Sequence, residues 1–248
     1  MNGVRMLPAG EQGLVVEFGS KIDEEINVRV HQVSRLITDR LSDGVIEVVP
    51  TYRSLLVYFK PLVITRNQLI SEIEVLLSRI EGAANESGSA RVVYIPVCYG
   101  GEFGPDIEFV AQHNKLSVDE VVKIHTATPY LVYMLGFTPG FPYLGGMSEK
   151  IAAPRLDKPR TKIPAGSVGI AGSQTGFYPI ESPGGWRLIG QTPIKGFDKD
   201  ADKPFPIDAG DYLQFQAVSA EDFYKIRQQV NDGTYRTETK QISRGGAR

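Results

Sequence analysis

Of 248 residues, one is cysteine, one is tryptophan and three are histidine. A lone Cys98 excludes an internal disulfide and a cysteine-built zinc site, and it fits a reducing compartment. Closing the apolar run VVYIPVC, it reads as a small buried thiol and not as a nucleophile. No apolar run approaches the roughly 18 residues that a membrane span requires. The N-terminal MNGVRMLPAGEQG lacks an apolar segment of signal-peptide length, so a cytoplasmic protein is expected. An excess of one charge is missing too. The 27 Lys and Arg residues face 29 Asp and Glu, a formal charge of −2, which argues against nucleic acid or an anionic membrane surface as the main partner. Anion recognition must then be local. Without H-x-x-x-H or mixed carboxylate spacing, no metal site and no bound organic cofactor are expected.

What is present is an ordinary globular balance, 42% hydrophobic and 23% charged residues, enough for a substantial core. GLVVEFG reads as a strand, and Ile26, Val30, Val33, Ile37 and Leu41 follow at helical spacing. VIEVVP and SLLVYF make a hairpin across Thr51, Tyr52 and Arg53. Thr65 and Gln68 form a capping-box pair ahead of Leu69, Ile73, Leu76 and Ile80, and RVVYIPV supplies a last strand or, alternatively, opens the second domain. This order, βαββαβ, predicts an α+β, ferredoxin-like N-terminal domain over residues 1–98.

After Cys98 the texture changes. YGGEFGPDIEFVAQHN gives a Gly-rich loop and a short helix behind Pro105. Ser117 and Glu120 cap a second helix that carries Val118, Val121, Val122 and His125 on one side. From Tyr130 onward, short runs such as YLVYMLGF, SVGIAG, WRLIG and DYLQFQAV alternate with Gly and Pro turns, which predicts a compact mainly-β barrel over 99–230. SAEDFYKIRQQV reads as a closing helix capped by Ser219. The tail 231–248 is polar without an apolar period, and a disordered segment is expected there.

TKIPAGSVGIAGSQTGFYPIESPGGWRLIG is dense in glycine and proline but is neither a P-loop nor a dinucleotide fingerprint. Its neighbour PRLDKPRTKIP sets Arg155, Lys158, Arg160 and Lys162 within eight residues, relieved by Asp157. Prolines restrict that backbone, and guanidinium forks with glycine-turn N–H groups suit carboxylate or phosphate. A solvated charged face is the competing reading. Gln174, Tyr178 and Arg187 add donors in the next loops, while Trp186 reads as a core or rim anchor. His125 is either a hydrogen-bonded core residue or a proton-transfer group. YMLGFTPGFPYLGGM is barrel wall plus a rigid loop, or an aromatic docking surface.

Three segments together, PVCYGGEFGPDIEFVA, YMLGFTPGFPYLGGM and the glycine-dense stretch, resemble the KipI/PxpB family, the B subunits of bacterial ATP-dependent 5-oxoprolinase. Their domain is shared with the carboxyltransferase region of urea carboxylase. The match runs over almost the whole chain; Gly10-Glu11 stands where the family has Gly-Asp, and Phe177 where an aliphatic residue is usual. The resemblance implies a cyclophilin-like barrel, ATP as co-substrate of a complex, a PxpC/KipA-like larger subunit and a PxpA-like subunit as partners, and opening of the 5-oxoproline lactam to glutamate. It also implies an alternative role as inhibitor of a sporulation histidine kinase, docking through FTPGFPYLGG, and, second, a urea carboxylase-like carboxyltransferase half. The residues it carries over are His125, Gln174 and Tyr178 as catalytic candidates, and Arg155, Arg160, Lys162, Ser182 and Arg187 for substrate or anion binding.

Overall fold

The computed structural model describes residues 3–82, 89–201 and 203–243. The chain divides into two compact units, Met1–Ser87 and Gly88–Arg248. In the first, β1 (Arg5–Ala9), β2 (Gly13–Glu17), α1 (Glu24–Arg40), β3 (Val45–Pro50), β4 (Ser54–Phe59) and α2 (Arg66–Gly82) follow one another. Alternation decides which sheet face is covered: Leu14 and Val16 of β2, with Leu55, Val57 and Phe59 of β4, pack against Val30, Val33 and Ile37 of α1 and Leu69, Ile73 and Leu77 of α2. Asp23 caps α1 by accepting from the Glu25 and Ile26 backbone. The Thr65–Gln68 box stands ahead of α2, with Gln68 Oε1 accepting from the Thr65 N–H at 2.9 Å.

The sheet order is β1-β2-β4-β3, antiparallel throughout. The first unit therefore runs ββαββα. The strand read from RVVYIPV is not its fourth strand, because β1 holds that edge. β1 was illegible because RMLPA contains Pro8, which an edge strand tolerates. It is fastened by the ion pair between Arg5 and Glu17.

The second unit opens with β5 (Ser89–Tyr99), then α3 (Ile107–Asn114), α4 (Val118–Thr126), β6 (Tyr130–Leu135), β7 (Pro142–Gly145), β8 (Arg160–Ile163), β9 (Ser167–Ala171), β10 (Gln174–Phe177), β11 (Ser182–Gly184), β12 (Arg187–Gln191), β13 (Tyr212–Ala217), α5 (Ala220–Asn231) and β14 (Thr239–Ser243). Seven strands run β10-β9-β12-β5-β13-β6-β7, with β14 also on β5. The two ends of this path approach each other: a Cβ placed on Gly176 of β10 would lie 3.2 Å from the Pro142 carbonyl of β7. The result is a nearly closed, barrel-like sheet. β5 lies at its centre, parallel to β13 over Val92–Val97, with β14 along its first half and β12 at its end. Val92, Val93, Ile95, Val97 and Cys98 are all buried, so both faces of the strand are covered, which suits a barrel better than an open sheet. α3 and α4 add Ile107, Val110 and Val121 to that core. β8 and β11 form a separate two-stranded flap, with Ser182 opposite Ile163 and Gly184 opposite Arg160.

The expected disordered tail is corrected over 239–243, which pair with Arg91–Val93 and their neighbours as β14. Backbone pairing along β5, and not an apolar pattern, holds this strand, so sequence periodicity could not find it. Residues 244–248 lie outside the described residues. No helix among the described residues is long and apolar enough to cross a membrane.

The Tyr94 N–H donates to Glu238 O at 3.0 Å. Deleting residues 237–248 is expected to remove hydrogen-exchange protection at Tyr94 and leave the β13 amides protected. Unchanged protection at Tyr94 would show that β14 contributes nothing to the barrel.

Candidate functional site

Three turns at the barrel rim deliver one aromatic cluster. Phe141 enters from the loop before β7, Tyr178 follows β10 and Trp186 precedes β12. Their ring centroids lie 5.6 Å (Phe141–Tyr178), 5.6 Å (Phe141–Trp186) and 6.1 Å (Tyr178–Trp186) apart, all edge to face, the geometry that ring quadrupoles favour. Ile163, Ala171 and Leu188 complete the cluster. Gly184 is required by close approach: a Cβ there would collide with the Tyr178 hydroxyl and lie 2.8 Å from Ile163 Cδ1.

Polar groups gather around the flap. Arg160 Nη2 donates to Asp106 Oδ1 at 2.9 Å, and Nη1 donates to Trp186 O at 3.4 Å. Lys162 Nζ lies 3.0 Å from Glu181 Oε2, both exposed. Ser182 Oγ is enclosed without a hydrogen-bond partner among the described residues, although an unmet buried hydroxyl is costly. Tyr178 is 2% exposed. Burial pushes its phenol above the ordinary range, opposed by a hydrogen bond from the Trp186 backbone and by the positive charges of Arg155 and Arg160. The phenol therefore stays protonated at neutral pH, within electrostatic reach of two guanidinium groups. Of the predicted site residues, Arg155, Arg160, Lys162, Tyr178 and Ser182 belong to this neighbourhood.

The other three lie elsewhere. Gln174 opens β10 and Tyr178 follows its last residue, four extended residues or roughly 13 Å along the backbone. Arg187 places its guanidinium carbon 3.6 Å over the Phe109 ring and donates through Nε to Pro154 O at 3.2 Å. His125 is fully buried. Its Nδ1 lies 2.7 Å from Tyr99 Oη and its Nε2 2.7 Å from Thr175 Oγ1. Thr175 Oγ1 donates onward to Gly169 O at 3.1 Å, so it accepts from His125, which fixes the Nε2–H tautomer and makes Tyr99 the donor to Nδ1. The ring stacks on Phe215 at 4.5 Å, and burial lowers its pKa to about 3. Such a ring braces α4 against the barrel and stays neutral. Within FTPGFPYLGG, Phe141 is buried and Tyr143 packs on it, whereas Phe137 is 67% exposed with φ of 63°.

Asp106 is the neighbour that sequence reasoning missed. Following Pro105 at a helix start, it reads as an ordinary cap. No group of three His, Cys, Asp or Glu side chains among the described residues is placed to hold a metal ion.

The family described as carboxyltransferase domain, subdomain C and D, matches residues 4–207. The chain is 45% identical over 232 residues to the B subunit of 5-oxoprolinase from Bacillus subtilis, covering 90% of this chain and 96% of that one. Among solved structures it resembles the uncharacterized protein PH0987 from Pyrococcus horikoshii, at 48% identity and a TM-score of 0.52 over 88% of this chain and all of that one. It also shares the fold of the Kluyveromyces lactis urea amidolyase, at 21% identity and a TM-score of 0.78, covering 96% of this chain and 16% of that one.

His125→Phe preserves the stack on Phe215 but strands the Tyr99 hydroxyl and takes from Thr175 Oγ1 its donor, and urea unfolding is expected to show a loss of about 3 kcal/mol. With a folded pKa of about 3 against roughly 6.5 for a free imidazole, the unfolded chain takes up the proton first. The stability contributed by the neutral ring is complete above pH ~6.5 and is lost as pH falls toward 3. Between pH 6.5 and 5, where most carboxylates stay ionised, His125→Phe is expected to flatten the decline in stability. An unaltered slope would place its origin elsewhere.

Proposed function

The chain belongs to the family of 5-oxoprolinase B subunits within the carboxyltransferase subdomain C and D group, and from that premise we propose that it is the B subunit of an ATP-dependent 5-oxoprolinase, a non-autonomous part of a hydrolase acting on a cyclic amide. Its barrel, which we read as cyclophilin-like, forms one wall of a site completed by a PxpC/KipA-like larger subunit, with a PxpA-like subunit as the third component. The observation that carries this reading is the Tyr178 hydroxyl, kept protonated and set under the charges of Arg155 and Arg160 at the barrel rim.

A five-membered lactam is unreactive toward water, and a phosphoryl group transferred from ATP to its amide oxygen makes the ring carbon electrophilic. Water then adds to that carbon, the ring nitrogen takes a proton as its bond to carbon breaks, and a second water hydrolyses the resulting acyl phosphate to carboxylate and phosphate. In this scheme Arg155 and Arg160 hold the carboxylate or phosphoryl oxygens. Tyr178 accepts from the Trp186 backbone, so its own proton is available to an oxygen that gains charge. Ser182 Oγ, two residues from Gly184 on β11, supplies a further hydroxyl. Lys162 exchanges its exposed partner Glu181 for a ligand anion. The chain has no P-loop, so the nucleotide's phosphates are cradled chiefly by the partner subunits. His125 acts through the barrel and not on the substrate.

The test is 5-oxoproline-dependent ATP hydrolysis by the chain with and without its larger partner. Activity is expected from the assembled subunits and from neither alone. Tyr178→Phe is expected to lower kcat by about 10²-fold, the usual effect of losing one oriented donor, with the melting temperature within a few degrees of the parent. Full turnover by Tyr178→Phe would remove the phenol from the site.

A further inference from the structure

We propose that Asp106 is a positioning residue that fixes the Arg160 guanidinium beside Tyr178; the proposal rests on reading Arg160 as a site residue. Asp106 is the residue at the start of α3 where an aspartate normally caps the helix, yet its side chain makes no capping bond. Instead, Oδ2 accepts from the Leu188 N–H at 2.7 Å and Oδ1 from Arg160 Nη2 at 2.9 Å. Its own N–H donates to Leu188 O at 2.8 Å. The carboxylate is thus clamped on both sides to β12, a strand held in the barrel between β9 and β5. At 9% exposed it has little room to swing.

Arg160, by contrast, starts β8, in the two-stranded flap outside the main sheet. Left to the flap alone, a side chain 30% exposed would sample many rotamers. Asp106 and the Trp186 carbonyl grip two of its nitrogens from the start of β12. They refer the guanidinium to β12 and to Trp186, the residue before it, whose backbone also bonds the Tyr178 hydroxyl. Two groups that must act on one ligand are thereby tied to one rigid reference, which is how orientation is converted into rate.

The assembled complex tests this with Asp106→Asn, Arg160→Gln and the double variant, measured by 5-oxoproline-dependent ATP hydrolysis. The asparagine keeps an oxygen for the Leu188 N–H and loses the pair with Arg160. Asp106→Asn is expected to lower kcat/KM for 5-oxoproline at least tenfold, and the double variant to be no worse than Arg160→Gln alone. Normal kinetics for Asp106→Asn, or losses that multiply in the double variant, would overturn the proposal while leaving Arg160 in the site. A silent Arg160→Gln would overturn the site reading itself and the proposal with it. A second measurement needs no activity. In the full chain, side-chain 15N spectra are expected to show resolved Arg160 Nη signals, because the held guanidinium cannot rotate, and Asp106→Asn or Asp106→Glu to average them. Averaged signals in the parent chain would equally refute the clamp.

Discussion

A nearly closed barrel that encloses a histidine must satisfy both ring nitrogens from within, and that requirement organises the second unit. Tyr99 at the end of β5, Thr175 on β10, Gly169 on β9 and His125 on α4 are joined by one chain of hydrogen bonds. The Tyr130 hydroxyl on β6 also donates to the His125 carbonyl at 2.7 Å. Elements far apart in sequence are thus fastened to one imidazole. Each member would be a costly buried polar group without the others. The low pKa of the ring belongs to the same design: protonation would turn Nδ1 from acceptor into donor, and Tyr99 would lose the place its hydroxyl proton goes.

Fixing the barrel in this way fixes its rim. Tyr178 leaves β10 two residues after Gly176, where the two ends of the sheet approach. Trp186 enters β12 two residues before Leu188, which is tied to Asp106. The aromatic cluster therefore sits where strand ends are most constrained. The cations stand on the less constrained flap and are drawn to it by specific partners. Rigid apolar floor and tethered polar edge are the ordinary division of labour in a binding site.

Much of this was legible because it rests on local rules. The boxes at Thr65 and Ser117, the stripe Val30–Val33–Ile37 and the change to short strands after Tyr130 follow from capping and periodicity, which need no tertiary partner. Other features were settled by distance. β1 carries a proline, β14 has almost no apolar content, and the 91–97 strand fits an open sheet as well as a barrel until its two-sided burial is seen. For the site, the charge density near Arg155–Lys162 falls on β8 of the flap and the residues before it. Residue type could not show that Arg187 turns to Phe109 or that the Asp106 side chain bonds to Leu188 and Arg160 and not to its helix.

The pairing of the cations fits the proposed role of this chain as one half of a site. Unpaired positive charges crowded beside a buried phenol would repel one another, and the chain meets this with two kinds of partner. Lys162 and Glu181 are both exposed, and such pairs contribute only roughly 0–1 kcal/mol, so in the proposed site an anion would displace Glu181 at little cost. Asp106 is buried and engaged by a backbone N–H on its other oxygen, so no ligand replaces it. In the proposed site the first pair would yield to the ligand and the second would set its direction. Both pairs lie within this chain, so on the proposed function the cations are oriented before a partner or substrate arrives.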